Sequence, residues 1–128
     1  IHVSRVFGSP HGGSAYSMAM IETHAALENL EQILSVPGLD AVFVGPSDLG
    51  QSLGHGPGTD RSEPELVEAI NGVLAAAREH GLAAGIFTGS PEYASRMAGK
   101  GFQFVTISSD VRLMASAAAS AIAAFESE

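Results

Sequence analysis

The chain has 128 residues, of which 14 are acidic and 6 are basic, so its formal net charge is −8 at pH 7 with neutral histidines. Hydrophobic residues make up 45% and cysteine is absent, which is typical of a globular domain and excludes a disulfide scaffold or a cysteine-ligated metal site. The acidic balance argues against nucleic acid and anionic membranes as partners, because both bind clustered Lys and Arg. No segment has the pattern of a signal peptide or a membrane span, so we expect a cytoplasmic protein.

The first part of the chain lacks periodicity. Residues 1–16 are rich in Gly and Ser and contain Pro10, which predicts an irregular start, with a short strand over residues 3–7 as one option. Because the chain begins with Ile1 rather than Met, we expect it to be a piece of a longer protein.

Four strand-and-helix units are predicted over residues 17–128. The predicted strands cover residues 17–21, 41–44, 82–87 and 102–107. A glycine-rich loop, residues 45–61, follows the second strand, and Ser62 is the predicted N-cap of the helix after it. Ser90, which is followed by Pro91, is the predicted N-cap of the next helix. Alternating strands and helices predict an α/β fold with a parallel sheet.

Four such units are half of a TIM-type (β/α)₈ barrel, which needs about 250 residues. We therefore expect residues 17–128 to form the C-terminal half of a barrel, with an open four-stranded parallel sheet as the alternative. In a half-barrel the two outer strands expose unpaired edges, so we expect another chain or further residues to cover them.

Acidic residues follow the first two predicted strands. Glu22 comes directly after the first strand, and Asp48 comes four residues after the second. The C-terminal ends of parallel strands meet at one edge of a sheet, where two carboxylates can converge on a hard cation such as Mg²⁺ or Mn²⁺. Their positions are equally consistent with helix N-cap or first-turn acids that only interact with the helix dipole.

The segments around these two residues resemble one family. MIETH (20–24) and VFVGPSDL (42–49) are similar in residue type and in separation to the HpcH/HpaI group of metal-dependent, class II pyruvate aldolases. This group includes 2-dehydro-3-deoxyglucarate and 4-hydroxy-2-oxo acid aldolases. The resemblance covers about residues 18–125.

The resemblance implies a lyase that cleaves 4-hydroxy-2-oxo acids to pyruvate and an aldehyde. It implies that Glu22 and Asp48 bind a divalent metal, Mg or Mn with Co as a further candidate. The metal then holds the oxygens of pyruvate and stabilises the enolate. The backbone around Ser47 and Asp48 is implied to bind the pyruvate carboxylate. The implied partners are a small-molecule 2-oxo acid and either a homo-oligomer or the missing half of the barrel.

Two departures from the family pattern bear on activity. The family commonly has Gln two residues before the metal-binding Glu, where this chain has Met20. The family's catalytic His and its carbonyl-polarising Arg lie on early barrel strands that have no counterpart here, so no catalytic residue is assigned. His55 lies in the glycine-rich loop near Asp48 and either approaches a substrate or faces water. We therefore expect the 128-residue chain to be inactive or incomplete by itself.

Two alternative functions remain open. One is a non-catalytic fragment or a diverged metal-binding module. The other is a citrate-lyase-β-like lyase that acts on a CoA thioester, a relative that shares the Glu and the Asp.

The alanine-rich last helix has a small-residue surface that would pack closely on its own barrel or on a neighbouring subunit.

Overall fold

The structure is a computed structural model that describes residues 3–5, by their backbone, and residues 16–126. The predicted irregular start over residues 1–16 therefore lies almost entirely outside the described residues. The strands are β1 (Val3–Arg5), β2 (Ser17–Ile21), β3 (Ala41–Val44), β4 (Ala83–Ile86) and β5 (Phe104–Val105). The helices are α1 (His24–Glu28), α2 (Leu30–Leu34), α3 (Pro46–Ser52), α4 (Pro64–Glu79), α5 (Pro91–Lys100) and α6 (Asp110–Glu126).

The strands form one sheet in the order β1-β2-β3-β4-β5. Strands β2 to β5 are parallel to one another, as the alternating pattern predicts, and β1 is antiparallel to β2. β1 thus pairs with the outer edge of β2, an edge that the sequence predicts to be open. Ile21 pairs with Val44, which pairs in turn with Ile86, so the carboxyl ends of three strands lie level with one another.

The core lies between one face of the sheet and helices α2 to α5. Ile21, Val44 and Ile86 occupy successive strands on this face and are fully buried. The helix side chains that pack against them are apolar and include five from the long helix α4: Leu66, Ile70, Val73, Leu74 and Ala77. Each fully buried aliphatic side chain contributes about 1.5–3 kcal/mol relative to an exposed one, so this layer is the main source of stability.

The opposite face of the sheet is apolar but only partly covered. Phe43 is half-buried and Phe104 is 54% exposed, with ring centroids 5.7 Å apart. Gly85 lies between them in the register, and a Cβ there would come within 2.7 Å of Phe43 Cδ2. The absence of a side chain at Gly85 therefore allows the two rings to meet.

Helix starts follow local chemistry, with two differences from the sequence-based expectation. Ser90 caps α5 as predicted, since its Oγ accepts a hydrogen bond from Tyr93 N. The prediction of Ser62 as N-cap of α4 is wrong: the N-cap is Glu63, because Pro64 favours the first helical position and holds the preceding residue extended. The predicted loop over 45–61 also contains a helix, α3, which begins at Pro46 for the same reason.

The side chains of the last helix are exposed to solvent. Every residue of α6 whose side chain is described is exposed. Its large apolar exposed side chains are Val111, Leu113, Met114, Ile122 and Phe125. Packing of this helix on its own sheet, one of the two arrangements expected from its composition, is therefore not observed. Across the described residues, every helix is too short or too polar to traverse a lipid bilayer.

Candidate functional site

Strand pairing brings the two acidic segments to the same edge of the sheet. The backbone N–H of Gly45 donates to the Ile21 carbonyl at 3.1 Å, one step beyond the last paired residues of β2 and β3. Glu22 therefore follows its strand beside Gly45. Asp48 lies in the first turn of α3, which begins directly after Gly45.

The Glu22 side chain packs on the backbone of Gly45. A Cβ built on Gly45 would lie 3.2 Å from both Glu22 Cβ and Glu22 Oε2, and 3.5 Å from Met20 Cε. Gly45 has φ −101° and ψ 86°, so its backbone requires no special conformation. A hydrogen atom is needed there for space, because a side chain would crowd the carboxylate that lies against it.

Two cavities adjoin at this edge. The smaller, about 240 Å³, is lined by Met20, Phe43, Gly45, Pro46, Ser47, Asp48, Thr59 and Phe87. The larger, about 660 Å³, contains Glu22 and extends along α1 and α2. Met20 lines both cavities, one of which contains Glu22 and the other Asp48. The lining of the smaller cavity combines apolar side chains with Ser47, Asp48 and Thr59, a combination typical of a site for a small polar ligand.

Carboxylate oxygens are the ligands that a hard cation such as Mg²⁺ prefers in proteins. Among residues 16–126, no three His, Cys, Asp or Glu side chains lie close enough to form a metal-binding cluster. Mg²⁺ needs no such cluster, since it commonly binds through one or two carboxylates and completes its shell with water and substrate oxygens. Glu22 and Asp48 supply that number of carboxylates, and Gly45 leaves the space in which the Glu22 carboxylate lies.

A buried arginine donates hydrogen bonds to the backbone of the segment that contains Asp48. Arg61 is 6% exposed, and its Nε donates to the Pro46 carbonyl at 3.1 Å. Its Nη2 donates to the carbonyls of Ser47 and Gly56 at 3.3 Å and 2.7 Å. Its Nη1 pairs with Glu63 Oε1 at 3.1 Å. These bonds compensate the cost of burying the guanidinium and join the loop after α3 to the start of α3.

Glycines make room for that arginine. A Cβ on Gly50 would lie 2.0 Å from Arg61 Nη2, and one on Gly58 would lie 3.2 Å from Arg61 Nη1. The glycine-rich composition of the loop is thus explained in part by the close approach of this one side chain.

A carboxylate joins the loop to the next strand end. Asp60 Oδ1 accepts from the Gly89 N–H at 2.7 Å, and Asp60 Oδ2 accepts from Ser90 Oγ at 2.6 Å. The neighbouring residue, Thr59, lines the smaller cavity. A Cβ on Gly89 would lie 2.2 Å from Thr59 Oγ1, so this glycine too leaves space for a residue of the cavity lining.

The sequence predicts Glu22, Ser47 and Asp48 as site residues, but it does not single out Arg61 or Thr59. The available signal for Arg61 was that no other Lys or Arg occurs between residues 6 and 77. His55 is absent from the lining of the smaller cavity, and its Nε2 lies 3.0 Å from Glu65 Oε2.

Comparison with known proteins identifies the family. The family model for HpcH/HpaI aldolase/citrate lyase matches residues 10–117. A hydroxypyruvate/pyruvate aldolase of Rhizorhabdus wittichii is 46% identical over 106 residues, which are 83% of this chain and 42% of that protein. A 4-hydroxy-2-oxo-heptane-1,7-dioate aldolase of Klebsiella pneumoniae is 39% identical over 108 residues, which are 84% of this chain and 40% of that protein. The chain belongs to the HpcH/HpaI aldolase/citrate lyase family.

The solved structures agree with this assignment. The crystal structure of an HpcH/HpaI aldolase/citrate lyase family protein from Burkholderia cenocepacia superposes with a TM-score of 0.79 at 34% identity, over 85% of this chain and 42% of that one. The expectation of parallel β/α units that form part of a TIM-type barrel is thereby confirmed. The chain spans about 42% of the length of the relative from Rhizorhabdus wittichii.

Proposed function

We propose that this chain carries the metal-binding and carboxylate-binding half of the active site of a divalent-metal-dependent aldolase. The reaction is the cleavage of 4-hydroxy-2-oxo acids to pyruvate and an aldehyde. Membership of a family whose relatives are named aldolases supports this reaction class. The observation that carries the site assignment is the packing of the Glu22 carboxylate on Gly45, at the start of the segment that ends in Asp48.

The proposed role of the two acidic side chains is metal binding. Glu22 and Asp48 would hold Mg²⁺ or Mn²⁺, with Co²⁺ as a further candidate, through carboxylate oxygens. When bound, the metal would supply Lewis-acid stabilisation of the negative charge that develops on the keto oxygen of the 2-oxo acid.

The backbone of α3 and the apolar side chains of the smaller cavity are proposed to bind the substrate. The N–H groups of Ser47 and Asp48 lie in the first turn of α3, where helix geometry offers them no backbone acceptor, so they are available to the carboxylate of the 2-oxo acid. Met20, Phe43 and Phe87 line the same cavity and would provide an apolar surface beside the reacting carbons. No residue of this chain is assigned to proton transfer.

The test is metal-dependent pyruvate release by the full gene product that contains this chain. After treatment with EDTA, activity on a 4-hydroxy-2-oxo acid is expected to disappear and to return with Mn²⁺ or Mg²⁺. Glu22→Gln and Asp48→Asn are each expected to weaken Mn²⁺ binding in calorimetry by about 100-fold or more, since each removes a ligand. Glu68→Gln, an exposed position on α4, is the matched control and should bind Mn²⁺ like the wild type.

Other results would contradict the proposal in distinct ways. Activity that survives EDTA would rule out the metal role of the two carboxylates. Metal binding without turnover would support a non-catalytic module, and cleavage of a CoA thioester instead of the 2-oxo acid would support a citrate-lyase-β-like enzyme.

The exposed apolar residues of α6 support a further proposal on assembly. A row of exposed apolar side chains at helical spacing that includes Val111, Met114 and Phe125 is unfavourable in water and is typical of a surface that another polypeptide covers. We infer that the protein is a homo-oligomer in which α6 packs on a second copy. Light scattering of the full gene product tests this inference, and a stable monomer would refute it.

A further inference from the structure

Arg61 and the cavity lie on opposite sides of the same two peptide units. The carbonyls of Pro46 and Ser47, which accept from Arg61, belong to the peptide units whose N–H groups are those of Ser47 and Asp48. In a trans peptide the C=O and the N–H point in opposite directions. The guanidinium therefore binds one end of each dipole while the other end is free to bind an anion.

We propose that Arg61 is a positioning residue for the segment from Pro46 to Asp48, and that it acts through these two peptide units on the carboxylate of the 2-oxo acid. The proposal rests on the proposed function, which gives the carboxylate to the N–H groups of Ser47 and Asp48. Arg61 itself lies outside the cavity lining and does not touch the substrate.

Two physical effects give Arg61 this role. The first is orientation: Nε and Nη2 fix both carbonyls at once, and only a planar fork of donors has that geometry. The second is polarisation, because a charged donor on the carbonyl oxygen withdraws electron density and strengthens the N–H of the same peptide unit as a donor. A charged ligand depends on both effects more than a neutral ligand of the same shape, because its charge-assisted hydrogen bonds to the N–H groups are about twice as strong.

The surroundings of Arg61 keep its Nε and Nη2 donors available for the segment from Pro46 to Asp48. Its exposure of 6% keeps water from competing for the guanidinium. Glu63 occupies Nη1 at 3.1 Å, so the carboxylate partner lies on the side away from the two carbonyls. The space for this arrangement exists because Gly50 and Gly58 have no side chains.

The experiment compares the affinities of three ligands in the full gene product that contains this chain. Calorimetry measures Mn²⁺ alone, then pyruvate and the neutral analogue pyruvamide at saturating Mn²⁺. For Arg61→Met we expect pyruvate to bind about tenfold more weakly or worse, the loss of roughly one charge-assisted hydrogen bond. We expect Mn²⁺ and pyruvamide affinities to change by less than about threefold, because polarised N–H donors matter most for a charged ligand. Arg78→Met is the matched control, since Arg78 is exposed and donates to the Lys100 carbonyl, and it should resemble the wild type.

Arg61→Lys separates charge from geometry and covers the case in which Arg61→Met does not fold. Lys keeps the charge but has no planar fork, so it is expected to weaken pyruvate binding by a smaller factor in the same direction. Gly58→Ala is a third test of pyruvate affinity, with a change expected in the same direction. Its Cβ would crowd Arg61 Nη1 while the arginine is retained.

The failures of the two proposals can be told apart. Wild-type protein that binds neither Mn²⁺ nor pyruvate would refute the proposed function, and with it the role of Arg61. Wild-type protein that binds both, together with an Arg61→Met protein of unchanged pyruvate affinity, would refute the positioning role alone. Equal losses for pyruvate and pyruvamide in the Arg61 variants would indicate a purely structural residue and would also overturn the proposal.

Discussion

The substitution Gly45→Ala tests the candidate metal site without removing a ligand. The new Cβ would lie 3.2 Å from Glu22 Cβ and Oε2, closer than ordinary van der Waals contact. Because φ of Gly45 is −101°, alanine adopts the backbone conformation without strain, and the whole effect is the displacement of Glu22 by a few tenths of an ångström.

A displacement of this size is large for a metal ligand, whose bond lengths are held to within about 0.2 Å. We therefore expect Gly45→Ala to weaken Mn²⁺ binding by about 10- to 100-fold. This range is typical of substitutions at residues that contact and orient a metal ligand. Stability should change by less than about 1 kcal/mol, since Glu22 is only half-buried and its side chain can move.

The assay is calorimetric titration of Mn²⁺ into the full gene product, with thermal unfolding of the same samples. Gly72→Ala is the matched control, because a Cβ there meets nothing within 4 Å and the position is an exposed site on α4. It should leave Mn²⁺ affinity unchanged and raise stability by about 0.5–1 kcal/mol. A Gly45→Ala protein that binds Mn²⁺ as tightly as the control would refute the assignment of Glu22 as a ligand.

Three further substitutions are expected to act on stability. Gly85→Ala should destabilise the fold by about 1–3 kcal/mol in urea unfolding, because its Cβ would lie 2.7 Å from Phe43 Cδ2; an unchanged midpoint would show that the rings move freely. Asp60→Ala should cost about 1–2 kcal/mol, since it removes the acceptor of two hydrogen bonds from the β4–α5 loop, and a neutral result would mean that water replaces them. Hydrogen bonds from the backbone N–H groups of Glu63 and Ser62, together with the charge of Arg61, lower the pKa of Glu63 below its ordinary value of 4.5. A lowered pKa stabilises the fold at pH values above 4.5 and ceases to do so as the pH falls through the folded-state pKa. Urea unfolding at successive pH values should therefore show a smaller acid-induced loss for Glu63→Gln than for the wild type, and identical pH profiles would contradict this role.

The position of the site could be predicted because the signals for it are local. Glu22 and Asp48 each follow a run of apolar residues with strand periodicity, and parallel strands present their carboxyl ends at one edge. Their roles as ligands came from the resemblance to the aldolase family, and they stay proposals for this chain.

The surroundings of the site could not be predicted in the same way. The sequence predicts an irregular loop over residues 45–61, although Pro46 begins a helix inside it and the side chain of Leu49, a residue of that helix, is fully buried. The misassigned N-cap at Ser62 has a similar cause, since a capping pattern competes with Pro64 and only the packed helix shows which of them prevails.

The sequence by itself determined the β/α order, the parallel sheet and the family, because hydrophobic periodicity and short motifs depend on neighbours along the chain. Only the tertiary structure decided which glycines leave space for a functional group and which arginine supports the site. Arg61 meets the Pro46 carbonyl across 15 residues of sequence, and the Gly45 backbone meets Glu22 from a neighbouring strand. Contacts of this kind are set by how loops fold back on the sheet, and no periodicity along the chain encodes them.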